Sequence, residues 1–86
     1  MADNNTPRHR LKTWPEYYQA LIDGRKTFEL RFDDRGYDVG HVLVLDEFDV
    51  TKGYTGRTSE WSVTYLLRGV AFGLAEGHVC MGVQPA

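Results

Sequence analysis

The chain has 86 residues, a formal net charge of −2 and 13% aromatic residues, so it has no room for a second independent core. Each large buried side chain, worth roughly 1.5–3 kcal/mol, is hard to spare at this size. The negative balance argues against a protein that grips long duplexes mainly by neutralising phosphates.

No apolar run approaches the roughly 20 residues needed to cross a bilayer, and the start, MADNNTPRHR, lacks the apolar stretch of a secretory signal. The single Cys80 cannot form an internal disulfide, so the expected compartment is the cytoplasm and no membrane is expected as a partner.

Met1 to Pro7 is small, polar and unpatterned, so residues 1–8 are expected to form a flexible N-terminal tail ahead of one domain over 9–84. His9 to Lys12 reads as a short first strand. Trp14, Tyr17, Tyr18, Leu21 and Ile22 then recur at helical spacing on one face. Thr13 is the expected N-cap, with Glu16 three residues on as in a capping box, Pro15 in the first turn and Gly24 as the stop.

From Lys26 the period changes to two. Phe28, Leu30 and Phe32 alternate with Thr27, Glu29 and Arg31, which predicts a half-buried strand with the apolar set inward. Asp33-Asp34-Arg35-Gly36 is turn chemistry, and Val42–Leu45 is a continuous apolar run suited to a strand covered on both faces. The polar stretch Asp49 to Glu60 reads as an excursion between strands. Trp61, Val63, Tyr65 and Leu67 predict the inward face of another strand, residues 69–77 a loop, and Val79, Met81 and Val83 a last strand with Cys80 buried among them. The expected fold is α+β: a small, mostly antiparallel β-barrel with one N-terminal helix packed against it.

The charges are unevenly spread. Residues 1 to 35 hold seven of the ten Lys and Arg (Arg8, Arg10, Lys12, Arg25, Lys26, Arg31 and Arg35), which gives weak support for a local basic site in the first half. There is no glycine-rich phosphate loop, no CxxC, no HExxH and no nucleophile elbow. His9, His41 and His78 show no ligand spacing, so no metal and no cofactor is expected. The remaining cluster is Gly24-Arg25-Lys26-Thr27-Phe28-Glu29-Leu30-Arg31. In a strand, Thr27, Glu29 and Arg31 share one face, and Lys26 reaches round from the preceding turn. Taken alone, Glu29 and Arg31 could equally form an exposed ion pair worth under about 1 kcal/mol.

The octamer GRKTFELR closely resembles the GxKxxExR signature of ASCH domains, which are PUA-like barrels proposed to bind RNA. The wider pattern is similar to a short phage and bacterial branch of that superfamily marked by a leading HxLKxxPEYF segment, where this chain reads His9-Arg10-Leu11-Lys12-Thr13-Trp14-Pro15-Glu16-Tyr17-Tyr18. Asp34-Arg35, Val39-Gly40, Tyr54-Thr55-Gly56-Arg57, Val63-Thr64-Tyr65-Leu66-Leu67, Gly73-Leu74 and Gly77-His78-Val79 extend the likeness to about His9–Val83. The resemblance implies that Lys26, Glu29 and Arg31, joined by Lys12, line a cleft between helix and barrel, with Arg35, Tyr54 and Arg57 at its rim. Trp14, at its helical spacing, reads as a core residue rather than a stacking platform. His41 and His78 depart from the relatives, which carry Asp and Tyr there.

Three functions follow in order. The first is a nucleotide or RNA binding module: Lys and Arg meet phosphate, Glu accepts from a base amino group or sugar hydroxyl, and aromatic faces stack on bases. The second is a metal-independent hydrolase or nuclease acting on modified nucleosides or RNA, with Lys26, Glu29 and Arg31 as its catalytic groups. Relatives that hydrolyse an acylated nucleoside base use a threonine at the position of Glu29, and Thr27 lies about 6–7 Å along the strand from that position, which disfavours their mechanism. The third is a phage accessory protein binding a host protein, with Tyr37 and Tyr54 as exposed aromatics.

Overall fold

The computed structural model describes residues 5–86. The sheet-forming part of the chain starts before the expected boundary: Val42 donates its amide to the Pro7 carbonyl (3.0 Å), and β1 runs Arg8–Thr13. Helix α1 (Pro15–Ile22) follows, then β2 (Phe28–Phe32), β3 (Val42–Asp49), β4 (Gly53–Arg68), a 3-10 turn at Val70–Phe72 and β5 (His78–Pro85). The tail expected over residues 1–8 therefore lies partly in the sheet and partly, at Met1 to Asn4, outside the described residues.

Among the described residues five strands form one sheet in the order β1-β3-β4-β5-β2. β1 pairs parallel with β3, and the other three pairings are antiparallel. The two outermost strands are thus the two that flank α1 in sequence. The sheet curls so that its edges approach each other, but arginine side chains span the gap. Arg31 Nη2 donates to the Lys12 carbonyl (2.8 Å), and Arg35 Nη1 donates to the Arg10 carbonyl (2.9 Å). The result is a curled half-barrel. Guanidinium donors occupy the β1 carbonyls that a closing ladder would need, so the full closure expected from the strand count does not occur.

Leu11, Tyr18, Leu21, Leu43, Leu45, Trp61, Val63, Val79, Met81 and Val83 form the core inside the curl, with Leu66 packed against it. Leu43, Leu45 and Met81 are fully buried, each worth roughly 1.5–3 kcal/mol of transfer free energy. Helix α1 contributes only Tyr18 and Leu21 to this core. Trp14, Tyr17 and Ile22, expected on the same buried face, are exposed, because eight residues laid over the curl can press one narrow stripe inward. The expected capping box is absent: Trp14 is the N-cap without a side-chain bond, while Thr13 is the buried last residue of β1. The stop is as expected. Gly24 has φ +78°, its amide bonds Leu21 O (3.1 Å) and the Arg25 amide bonds Ala20 O (3.0 Å), a Schellman closure.

Five local expectations are corrected. β2 is inverted: Glu29 faces inward and is buried, whereas Phe28, Leu30 and Phe32 are exposed on the outer face. Residues 53–60 are not an excursion but the first half of β4, paired with β3 in a ribbon whose turn is held by Asp49 accepting from the Thr51 and Lys52 amides (2.8 and 3.1 Å). A register shift between Val63 and Tyr65 reverses the faces of β4, so Leu66 points to the core while Tyr65 is exposed. Cys80, opposite Leu30 and Leu67, is only partly buried, and Tyr37 is buried rather than exposed.

Candidate functional site

The seam between the two sheet edges holds the charged groups. Gly24 ends α1 so that the chain turns back at once, and Lys26 enters β2 beside the helix it has just left. Glu29 then projects under the curl, its side chain 4% exposed. Lys26 Nζ donates to Glu29 Oε1 (2.5 Å) and to the Phe28 carbonyl (2.6 Å), and Arg31 Nε donates to Glu29 Oε2 (2.9 Å). Arg31 Nη2 goes on to the Lys12 carbonyl and to Thr13 Oγ1 (3.3 Å). A buried carboxylate with a cation on each oxygen satisfies the rule that buried charge must be paired. Two cations around one anion leave the group net positive.

These residues line a cleft of about 500 Å³ together with Lys12, Thr13, Trp14, Tyr17, Phe28 and Leu30. Trp14 is 52% exposed and stacks on Tyr17, centroids 5.9 Å apart and planes 19° from parallel. Lys12 is the free charge of the site. Its Nζ lies 4.3 Å from the centroid of the Phe48 ring and 5.7 Å from that of Tyr54, and it forms no ion pair among the described residues.

A second hollow of about 370 Å³ adjoins the first along the seam. Arg10, Leu11, Lys12, Arg31, Arg35, Asp46 and Tyr54 line it. Arg10 is engaged by Asp46 through Nε (2.8 Å) and Nη2 (3.4 Å), which raises the Arg10 pKa and holds the Asp46 carboxyl below its ordinary range. Arg35 straps β1 and lies 3.8 Å from Asp34. Tyr54 is 62% exposed and meets Phe48 edge-on at 5.0 Å.

The structure thus brings together Lys12, Lys26, Glu29 and Arg31, and sets Arg35 and Tyr54 in the adjoining hollow. It places Arg57 elsewhere. That guanidinium sits over the buried Tyr18 ring (4.8 Å), donates from Nη1 to Gln19 Oε1 (3.1 Å) and lies 3.8 Å from Glu47, clasping α1 to the β3–β4 ribbon. Sequence reasoning missed Trp14, Tyr17, Phe28 and Arg10 as lining. The signal available for the first two was an apolar face on α1 wider than one short helix can bury. Arg10 became legible only through its pairing with Asp46 across β1 and β3.

The three histidines are not all scattered. His9 Nε2 and His41 Nδ1 share a hydrogen bond (3.0 Å) at the far end of β1, and His9 meets the buried Tyr37 ring edge-on at 4.9 Å. Burial first, then His41 and Arg35, push the His9 pKa down, with Asp33 opposing. Among the described residues no group of three or more His, Cys, Asp or Glu could hold a metal ion, and no helix is long and apolar enough to cross a membrane.

Comparison with known proteins places this seam in context. The chain is 36% identical over 56 residues, 65% of its length, to an "Uncharacterized 12.9 kDa protein in GpA 3'region" of Escherichia phage P2, and it spans about half the length of that relative. The family model described as "Domain of unknown function (DUF3850)" matches residues 8–83, from the first residue of β1 into β5. Covering both sheet edges, the helix between them and the whole charged seam, that match makes the chain a member of the DUF3850 family.

Proposed function

We propose that the seam cleft binds a nucleotide or RNA, and that the half-barrel is a small PUA-like fold of the ASCH type. The observation that carries the reading is the meeting, in one cleft, of an aromatic wall and an unpaired cation. Trp14 on Tyr17 offers a stacking face worth about 1–3 kcal/mol per base, and Lys12 offers a charge to phosphate. Glu29 uses one lone pair on each oxygen for Lys26 and Arg31, so further acceptor sites remain for a base amino group or a sugar hydroxyl.

Titration with short single-stranded RNA tests the reading. Affinity is expected to fall as salt rises, and Lys12→Ala and Trp14→Ala are each expected to weaken binding about tenfold at unchanged melting temperature, because both side chains are exposed. Absence of binding to any RNA or nucleotide at low salt sinks it.

One observation favours a second reading, contact with a protein partner. Phe28, Leu30, Phe32 and Tyr65 are exposed together on the outer face of β2, β5 and β4. Phe32→Lys would abolish such a contact and leave RNA binding intact, since Phe32 is exposed and lines neither hollow of the seam.

A further inference from the structure

The two hollows share a wall, and that fact carries information about the size of the ligand. Lys12 and Arg31 line both of them. On one side of this wall stands Trp14 stacked on Tyr17, and on the other stands Tyr54, braced edge-on by Phe48. Each compartment therefore has its own exposed aromatic face, and the cations lie between the two faces. A single nucleotide needs one face and one anion site. Two faces flanking a shared cation match two bases joined by one phosphodiester.

The strapping of the edges makes the floor continuous. Arg31 and Arg35 both spend donors on β1 carbonyls, those of Lys12 and Arg10, so the cations of β2 and the following turn lie along β1. Arg10 and Lys12 are two residues apart on one face of β1, about 6–7 Å along the strand. Arg10 is neutralised by Asp46, and Arg31 is committed to Glu29, Thr13 and the Lys12 carbonyl. Among the cations lining the two hollows, Lys12 alone is held by no ion pair or side-chain hydrogen bond. Its ammonium sits over Phe48, whose ring in turn supports Tyr54.

The geometry points to a single-stranded oligonucleotide of at least two residues as the ligand, with one base on Trp14, the next on Tyr54 and the phosphodiester between them at Lys12. This rests on the nucleotide-binding reading and narrows it from any nucleotide to a chain. Trp14 supplies the signal for measuring it: the only other tryptophan, Trp61, is buried in the core, so quenching of the exposed indole reports ligand at the first compartment.

Tryptophan quenching is measured with the four nucleoside 5′-monophosphates, the four homodinucleotides in ribo and deoxy form, and Tyr54→Ala and Lys12→Met variants, with thermal melts confirming that each variant folds. The best dinucleotide is expected to bind about tenfold or more tightly than its monophosphate. Tyr54→Ala is expected to remove that advantage while leaving the monophosphate unchanged. Lys12→Met is expected to weaken the dinucleotide about tenfold and to lower its salt dependence by about one charge. Equal affinity for monophosphate and dinucleotide, or a dinucleotide advantage that survives Tyr54→Ala, overturns the two-compartment inference and leaves the nucleotide reading standing. Quenching by none of the ligands at low salt overturns both. Tighter binding of the ribo form identifies the ligand as RNA, tighter binding of the deoxy form as DNA, and equal binding as single-stranded nucleic acid of either sugar.

Discussion

Glu29 is the residue on which the seam turns, because it is a buried carboxylate with a cation at each oxygen. Removing one member of such a group is costly: the others keep the desolvation penalty and lose the attraction that offset it, typically about 3–5 kcal/mol for a buried pair. Lys26 and Arg31 retain some exposure, which puts Glu29→Ala at the lower end, about 3 kcal/mol. In a domain of this size that lowers the melting temperature by about 10 °C or more. Glu29→Gln keeps one acceptor oxygen, but it also removes the charge and turns an NH2 donor toward one of the two cations, so it is expected to recover little of that loss. Thermal melting of the two variants checks this, and equal melting temperatures for Glu29→Ala and wild type would show the clamp to be energetically idle. The exposed pairs, such as Arg25 with Asp23, carry no comparable expectation, since solvent screens them.

At the scale of elements, β2 shows how a strand with a clear period can still be read inside out. Alternation of Phe28, Leu30 and Phe32 with Thr27, Glu29 and Arg31 defines two faces. It does not say which face meets the core, because a shift of one residue exchanges them. The Schellman turn after α1 and the β2–β5 register, with Glu29 opposite Met81, settle it in favour of the charged face. The unusual choice is sustained by pairing: the inward carboxylate finds Lys26 and Arg31, and the outward apolar row loses part of its transfer free energy. Leu30→Ser should therefore cost under about 1 kcal/mol, since Leu30 is 51% exposed, whereas Met81→Ala, fully buried, should cost about 2–5 kcal/mol. Urea unfolding of the two variants measures both, and a Leu30→Ser loss as large as that of Met81→Ala would restore the apolar-inward reading. The bulge at Val63/Tyr65 has the same character, reversing faces halfway along one strand with no break in the pattern of residues.

For the whole molecule, pH reports on groups spread round the curl. His9 has its pKa lowered from 6.5 by burial, by His41 and by Arg35, so the unfolded chain binds its proton more readily than the folded one. Stability from His9 is complete above pH 6.5 and is lost as pH falls through the lower folded value, with a slope of at most about 1.4 kcal/mol per pH unit for one proton. Asp33, held below its ordinary 3.8 chiefly by the Arg68 hydrogen bond, and Asp46, held down by Arg10, contribute stability present above that value and lost below it. Melting temperature should therefore fall in two stages on acidification, first below pH 6.5 and again below about pH 4. His9→Gln is expected to remove the first stage and spare the second. A wild-type melting temperature that stays flat from pH 7.5 to 5 counts against it.

Residue order alone was enough to establish that α1 lies near the start and ends at Gly24, and that β2, β3 and β5 are strands, because periodicity and glycine placement are local properties. It also singled out Lys26, Glu29 and Arg31, since a dense cluster of charge in an apolar strand is visible without coordinates, while Lys12 joined them only through the likeness to ASCH domains. Which way each face pointed was decided only when the strands met. So were the burial of Glu29, the exposure of Trp14 and the approach of Arg31 to the Lys12 carbonyl, 19 residues away in sequence. The register of one strand against another, and the curl that carries the first strand round to the second, arise from contacts between distant segments, and no local pattern encodes those.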